Sequence, residues 1–219
     1  MLPTITSDTI DLAPGSEVIL RYQTWEDYEQ LLHTRQNRAG LRIFFSATTQ
    51  EIRIMAPLPK HGKQSAILTD LVKYLLRHTH QEWDSYDPIT LKRFRQKGLE
   101  PDHCFYIQNR NAVLGKDEIN LESDPPPDLA LEVDLTSLTQ PEDYDEIGVP
   151  ELWIYRQATL YIYSFDGQRY HEQSASRLFP TIPVKEIIPT YVEQAWKQGS
   201  SVALKDFESY IVRNYSTKN

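Results

Sequence analysis

Asp128, Glu132 and Asp134 stand at alternate positions of the run Pro126-Pro127-Asp128-Leu129-Ala130-Leu131-Glu132-Val133-Asp134. The run reads as a strand, in which successive side chains point to opposite faces. One face then carries Asp128, Ala130, Glu132 and Asp134, the other Leu129, Leu131, Val133 and Leu135. The apolar face asks for burial. The acidic face sets three carboxylates within about 20 Å of one another, and like charges so placed repel unless something compensates them. A divalent cation, a lysine or arginine, or water can do so. A further acid, Asp102, follows Glu100 and Pro101 at the entry of a predicted strand over residues 103–107. Two carboxylates on neighbouring strands, Asp102 and Glu132, can hold Mg²⁺ or Mn²⁺, hard cations that take oxygen ligands and keep several waters. A cation held there lowers the pKa of bound water and neutralises charge growing on a phosphate. The same residues also read as a turn acid and a half-exposed strand acid with no metal role.

Cations lie close in sequence. Lys92-Arg93-Phe94-Arg95-Gln96-Lys97 puts four positive charges into six residues of a chain whose net charge is -8. Such a segment suits a phosphodiester backbone and equally a solvated basic hairpin. His61, flanked by Lys60 and Lys63, opens a predicted helix, where a phosphate or a metal-bound water is favoured; a surface or capping histidine is the plainer reading. No cysteine–histidine zinc pattern, phosphate loop, dinucleotide fingerprint or nucleophile elbow occurs.

The elements that must position these residues follow from periodicity. Thr24 caps a helix ending near His33, with Asp27 completing a near variant of the capping box. Residues 41–45 and 52–55 read as strands joined through residues 47–50. The apolar pairs Ile67/Leu68, Leu71/Val72 and Leu75/Leu76 mark a helix over residues 61–80. Strands are expected at 90–94, 103–107, 128–135 and 152–155, and a loop at 109–127. Thr139-Gln140-Pro141-Glu142 reads as a capping box opening a short helix that Gly148 stops. Asp166-Gly167 reads as a two-residue hairpin between strands 160–165 and 168–170. Helical pieces fill 184–197 and 201–215, with Pro189 interrupting the first, and residues 1–18 read as a tail or edge strand. Interleaved strands and helices predict one α/β or mixed α+β domain over residues 1–219.

With 219 residues, 40% hydrophobic and 25% charged, the composition is that of a globular protein. The net charge of -8 argues against binding nucleic acid or membrane over the whole surface, while leaving room for a local basic groove. The lone Cys104 excludes an internal disulfide, which fits a reducing cytoplasm, and its apolar setting predicts an inert buried thiol. No signal peptide or membrane-length apolar run is visible.

Residues 127–133, then Thr136-Ser137, Tyr144 and Gly148-Val149-Pro150-Glu151-Leu152-Trp153, resemble the Uma-type restriction endonuclease domain family of the PD-(D/E)XK nuclease superfamily. Glu100-Pro101-Asp102 with residues 104–107, and Met55-Ala56-Pro57 followed by His61, match as well; the resemblance covers about residues 17–195. It implies a mixed central sheet flanked by helices, with added N-terminal strands and a C-terminal helical extension over about 196–219. It implies Mg²⁺- or Mn²⁺-dependent hydrolysis of DNA, with Asp102 and Glu132 as metal ligands, Val133 offering its carbonyl and Asp128 nearby. His61, Lys63, Lys92, Arg93 and Arg95 would then face the DNA, and a cytoplasmic homodimer is expected. One departure stands out. The lysine usual two residues after the glutamate is replaced by Asp134, and residues 136–147 contain neither lysine nor arginine. Lys60, Lys63 or Lys92 would have to substitute in space. A nuclease fold that binds DNA or protein without cleaving is the alternative, and a metal-dependent phosphoesterase acting on a small nucleotide a third.

Overall fold

The computed structural model describes residues 7, 10–35, 40–87, 89–135 and 138–215. Thr136 and Ser137, which enter the resemblance, and most of the first nine residues lie outside them. The described residues form eleven strands and four α-helices. Strands β1 (Glu17–Arg21), β2 (Arg42–Ser46), β3 (Glu51–Met55), β5 (Leu91–Arg93) and β6 (Lys97–Leu99) make a five-stranded sheet in the order β1-β3-β2-β6-β5. Strands β4 (Asp84–Tyr86), β7 (His103–Tyr106), β8 (Leu129–Asp134), β9 (Glu151–Arg156), β10 (Thr159–Phe165) and β11 (Tyr170–Gln173) make a second sheet. Its order is β11-β10-β9-β8-β7-β4, with β8 and β9 parallel and the other neighbours antiparallel. The architecture is mixed α+β, as expected.

Alternation decides which face of each sheet is buried. In the first sheet Ile43, Phe45, Ile52 and Ile54 pack under Trp25, Tyr28 and Leu31 of helix α1 (Trp25–Arg35). Arg42, Phe44, Arg53 and Lys97 therefore point to the opposite side. Helix α1 starts as its sequence predicts: the Thr24 amide donates to Asp27 Oδ2 at 2.8 Å, and the Asp27 amide to Thr24 Oγ1 at 3.2 Å. In the second sheet Leu129, Leu131, Val133, Trp153 and Ile162 pack against helices α2 (Pro59–His78), α3 (Val184–Gln198) and α4 (Ser200–Tyr215). Its other face joins Ala130, Leu152 and Ile154 to Leu91 and Leu99 of the first sheet and to Tyr144. The two sheets thus pack together where β5 and β6 of the first face β8 and β9 of the second. The last of the chain's crossings between the sheets, from β6 to β7, takes only Glu100, Pro101 and Asp102.

The structure differs from the predicted elements at four places. Pro189 sits inside α3 without ending it, since Ile187, Ile188 and Val192 on either side are buried in the main core. The hairpin after β10 is a four-residue loop over 166–169: Phe165 pairs with Tyr170, and Asp166 Oδ1 accepts the amides of Gln168 and Arg169. The short helix is a 3-10 turn, Pro141–Tyr144, boxed by Gln140 and Asp143 instead of Thr139 and Glu142. Thr139 is instead bound to Asp134, its hydroxyl 2.8 Å from Oδ1. Finally β4 and β6, three residues each, carry no periodic signal of their own.

Candidate active site between the two sheets

Asp102 ends the crossover and Glu132 lies in the middle of β8. The pairing of His103 with Leu131 and Cys104 with Ala130, continued by one residue, sets Asp102 opposite Glu132. Both are buried, at 1% and 5% exposure. Arg42 staples the crossover: its guanidinium donates to the carbonyls of Glu100 and Pro101 at 3.1 and 2.9 Å and lies 2.9 Å from Asp102 Oδ1. Asp102 Oδ2 accepts the Val133 amide at 2.7 Å and lies 3.0 Å from His61 Nε2, in the first turn of α2. Glu100 is turned away, held by Arg35, Thr90 and the amide of Ile43.

Glu132 receives the Tyr144 hydroxyl at Oε1. Burial pushes its carboxyl well above the ordinary carboxylate range and the charge of Asp102 pushes it further, against the pull of Tyr144 and Arg42. Arg42 touches Asp102 and acts on Glu132 only at longer range, so the enclosed Glu132 carboxyl is driven toward its neutral form. A hard divalent cation beside both carboxylates would favour the charged form, and the two side chains offer it oxygen donors and no thiol. Among the described residues no group of three or more His, Cys, Asp and Glu side chains is arranged to hold a metal. Two carboxylates with water completing the shell is the arrangement Mg²⁺ tolerates.

A narrow cleft, about 500 Å³ only when its open mouth is included, lies beside Glu132, lined also by His61, Val133, Arg53, Lys97, Asp143 and Tyr144. Lys97 is only 4% exposed and lies 3.1 Å from Asp143 Oδ1. Arg53 meets the other oxygen of the same carboxylate at 2.8 Å. Burial raises the Asp143 carboxyl, but Lys97 and Arg53 outweigh it and hold the group below its ordinary value.

The structure brings Asp102, Glu132, Val133 and His61 together and sets the other expected residues elsewhere. Asp128 caps the exit of β7, accepting the amides of Ile107 and Asn109 at 2.6 and 3.0 Å. Asp134 still lines the cleft, but its carboxylate is held by Arg156, at 2.6 Å, and by Thr139. Lys63 and Lys60 lie over the Trp196 ring. Lys92 pairs with Glu29, Arg95 with Glu26, and Arg93 binds the carbonyls of Leu121 and Glu146. Of the basic segment over residues 92–97, only Lys97 lines the cleft with Glu132. Arg42, Arg53 and Asp143 are further cleft or crossover residues that sequence reasoning did not single out. The available signal was weak: Lys97 precedes the apolar pair Gly98-Leu99, which marks the cationic run's entry into the interior. Cys104 is fully buried, and burial pushes its thiol up to about 12. No helix among the described residues is long and apolar enough to cross a membrane.

The family model described as Uma2, putative restriction endonuclease, matches residues 25–196. A crystal structure from Anabaena variabilis, described as a putative nuclease belonging to DUF820, shares the fold with a TM-score of 0.52 at 9% identity. That match covers 81% of this chain and 98% of the other. No curated protein matches the chain.

Proposed function

The chain belongs to the Uma2 family, and on that footing we propose that it is a metal-dependent endonuclease hydrolysing DNA phosphodiester bonds. The observation that carries the reading is the pair Asp102 and Glu132, buried opposite each other and undercompensated, beside a cleft with one buried lysine. Asp102, Glu132 and the Val133 carbonyl would hold Mg²⁺ or Mn²⁺. When bound, the cation acidifies water and stabilises charge on the phosphate. His61 and Arg42 fix the Asp102 carboxylate, and Tyr144 fixes that of Glu132. Lys97 supplies the cation for which β8 has no residue: it orients the attacking water and offsets negative charge developing on the phosphoryl oxygens. Water adds to phosphorus, the bond to the 3′-oxygen breaks, and the products are a 3′-hydroxyl and a 5′-phosphate. The reading includes a homodimer, which sedimentation velocity reports.

Titration calorimetry with Mn²⁺ and Mg²⁺, on the wild type and on Glu132→Ala, tests the site without knowing a target sequence. Binding in the wild type alone, accompanied by metal-dependent cleavage of DNA, is the expected result. Cleavage retained in Glu132→Ala would falsify the assignment. A specific observation favours the second reading, a nuclease fold that binds without cutting: both Asp102 oxygens are already engaged by Arg42, His61 and the Val133 amide. That reading predicts DNA or protein binding with no turnover at any metal, and partner affinity unchanged by Asp102→Ala.

A further inference from the structure

The cleft beside Glu132 does not end at Lys97. It runs into a second one of about 650 Å³, including its open mouth, and the two share Phe44, Arg53, Lys97 and Asp143. The shared residues come from three adjacent strands of the first sheet and from the 3-10 turn above them. Arg53 is paired in register with Ile19 on one side and Phe44 on the other, so the three side chains form one row across the sheet. The Arg53 guanidinium lies 5.6 Å from the centre of the Phe44 ring, a flat cationic platform at the mouth of the cleft. Lys97 sits one row further along. Both cations reach a single carboxylate, Asp143; Glu51, which also lines the second cleft, is paired with Arg21, and Glu17 lines the first.

We infer that this face of the first sheet is a track for the DNA backbone beside the cut, where Arg53 and Lys97 take a phosphate in the place Asp143 holds in the free protein. The inference rests on the endonuclease reading and names where its substrate lies. A phosphate has the charge of a carboxylate and non-bridging oxygens that can accept from both cations at once. Asp143 acts as an internal stand-in that keeps Lys97 charged and in place while the track is empty. It also competes with the substrate, because the phosphate must displace it. Phe44 and Ile19 then lie against the neighbouring sugar. The overall charge of -8 makes such a local pair decisive, since the rest of the surface repels the backbone.

The test is fluorescence anisotropy of a labelled duplex oligonucleotide in chelator, over a series of salt concentrations, so that binding is read without cleavage. Arg53→Gln should weaken binding about tenfold and lower the slope of log affinity against log salt by about one, the loss of one phosphate contact. Asp143→Asn should tighten binding several-fold. Unchanged affinity and slope in Arg53→Gln overturns the track, as does weaker binding by a folded Asp143→Asn protein. Should Asp143→Asn fail to fold by circular dichroism, Arg53→Gln alone decides. Cleavage by the wild type is measured separately with Mg²⁺. A reduced slope in Arg53→Gln with no cleavage by the wild type removes the catalytic reading and keeps the track. Cleavage by the wild type with an unaltered Arg53→Gln slope removes only the track.

Discussion

At the scale of single residues the site is a contest between charge and burial. Glu132 is enclosed with Asp102 at its side, and its carboxyl is pushed well above the ordinary range. A carboxyl shifted upward contributes stability below its unfolded pKa and loses that contribution as pH rises through the folded one. Glu132→Gln keeps an oxygen for the Tyr144 hydroxyl and removes the titration. In chelator it should melt above the wild type at pH 8, with the gap closing below pH 4; a gap that does not widen with pH would count against the strained carboxylate. Lys97 answers to a different measurement. If it positions water, Lys97→Met should lower metal-dependent cleavage by roughly 10²–10³, the usual loss for one preorganised charge. Metal binding by calorimetry should survive, because Lys97 pairs with Asp143 and not with Asp102 or Glu132. Full activity in that variant would remove Lys97 from the chemistry and favour another cation.

At the scale of elements, the three residues of β6 hold Lys97 in the cleft, and Gly98 is what lets them do so. Gly98 pairs with Phe45 on one side and Lys92 on the other. A Cβ there would lie 2.3 Å from the ring of Tyr28, which α1 brings against the strand. Gly98→Ala should therefore cost about 1–3 kcal/mol through overpacking, read as a melting temperature roughly 2–12 °C lower. The cost should shrink when Tyr28 is also truncated, since the two sites are in contact; full additivity in the double variant would mean the strain lies elsewhere. The same strand explains what could be read in advance and what could not. Helix α2 announces itself through three apolar pairs repeated over about three turns, α1 through its capping pair, and β8 through alternation. Those signals also set Glu132 and His61 on their elements, while Asp102 was placed by the strand expected over residues 103–107. A three-residue strand has no period to detect, so only the apolar pair after Lys97 set it apart from Lys92, Arg93 and Arg95, which turn to Glu29, two carbonyls and Glu26. Asp134 illustrates the limit of alternation. It shares a face with Glu132, as the pattern requires, yet its partner Arg156 comes from the parallel strand β9, whose register no local pattern encodes.

At the scale of the whole molecule, the site is where two sheets are fastened together, so a ligand there should act on the stability of the entire fold. Asp102 belongs to the link between the sheets and Glu132 to the centre of the second; a cation held by both would brace that junction. Binding to the folded state alone stabilises by about 2.7 kcal/mol at a ligand concentration one hundred times the dissociation constant. For a chain of this size that is a rise in melting temperature of roughly 5–11 °C. The concentration needed is set by a competition, since Arg42 and His61 must loosen their hold on Asp102 before its oxygens are free. Divalent cations also screen a protein of net charge -8 without occupying any site, and that effect is common to every variant. The informative quantity is consequently the difference between the wild type and Glu132→Ala as Mg²⁺ or Mn²⁺ is raised. Screening alone moves both proteins equally, whereas a cation bridging Asp102 and Glu132 moves the wild type further. Parallel melting curves at every metal concentration would leave the two carboxylates as a structural pair held by Arg42, and would shift the weight of the functional reading to binding without cleavage.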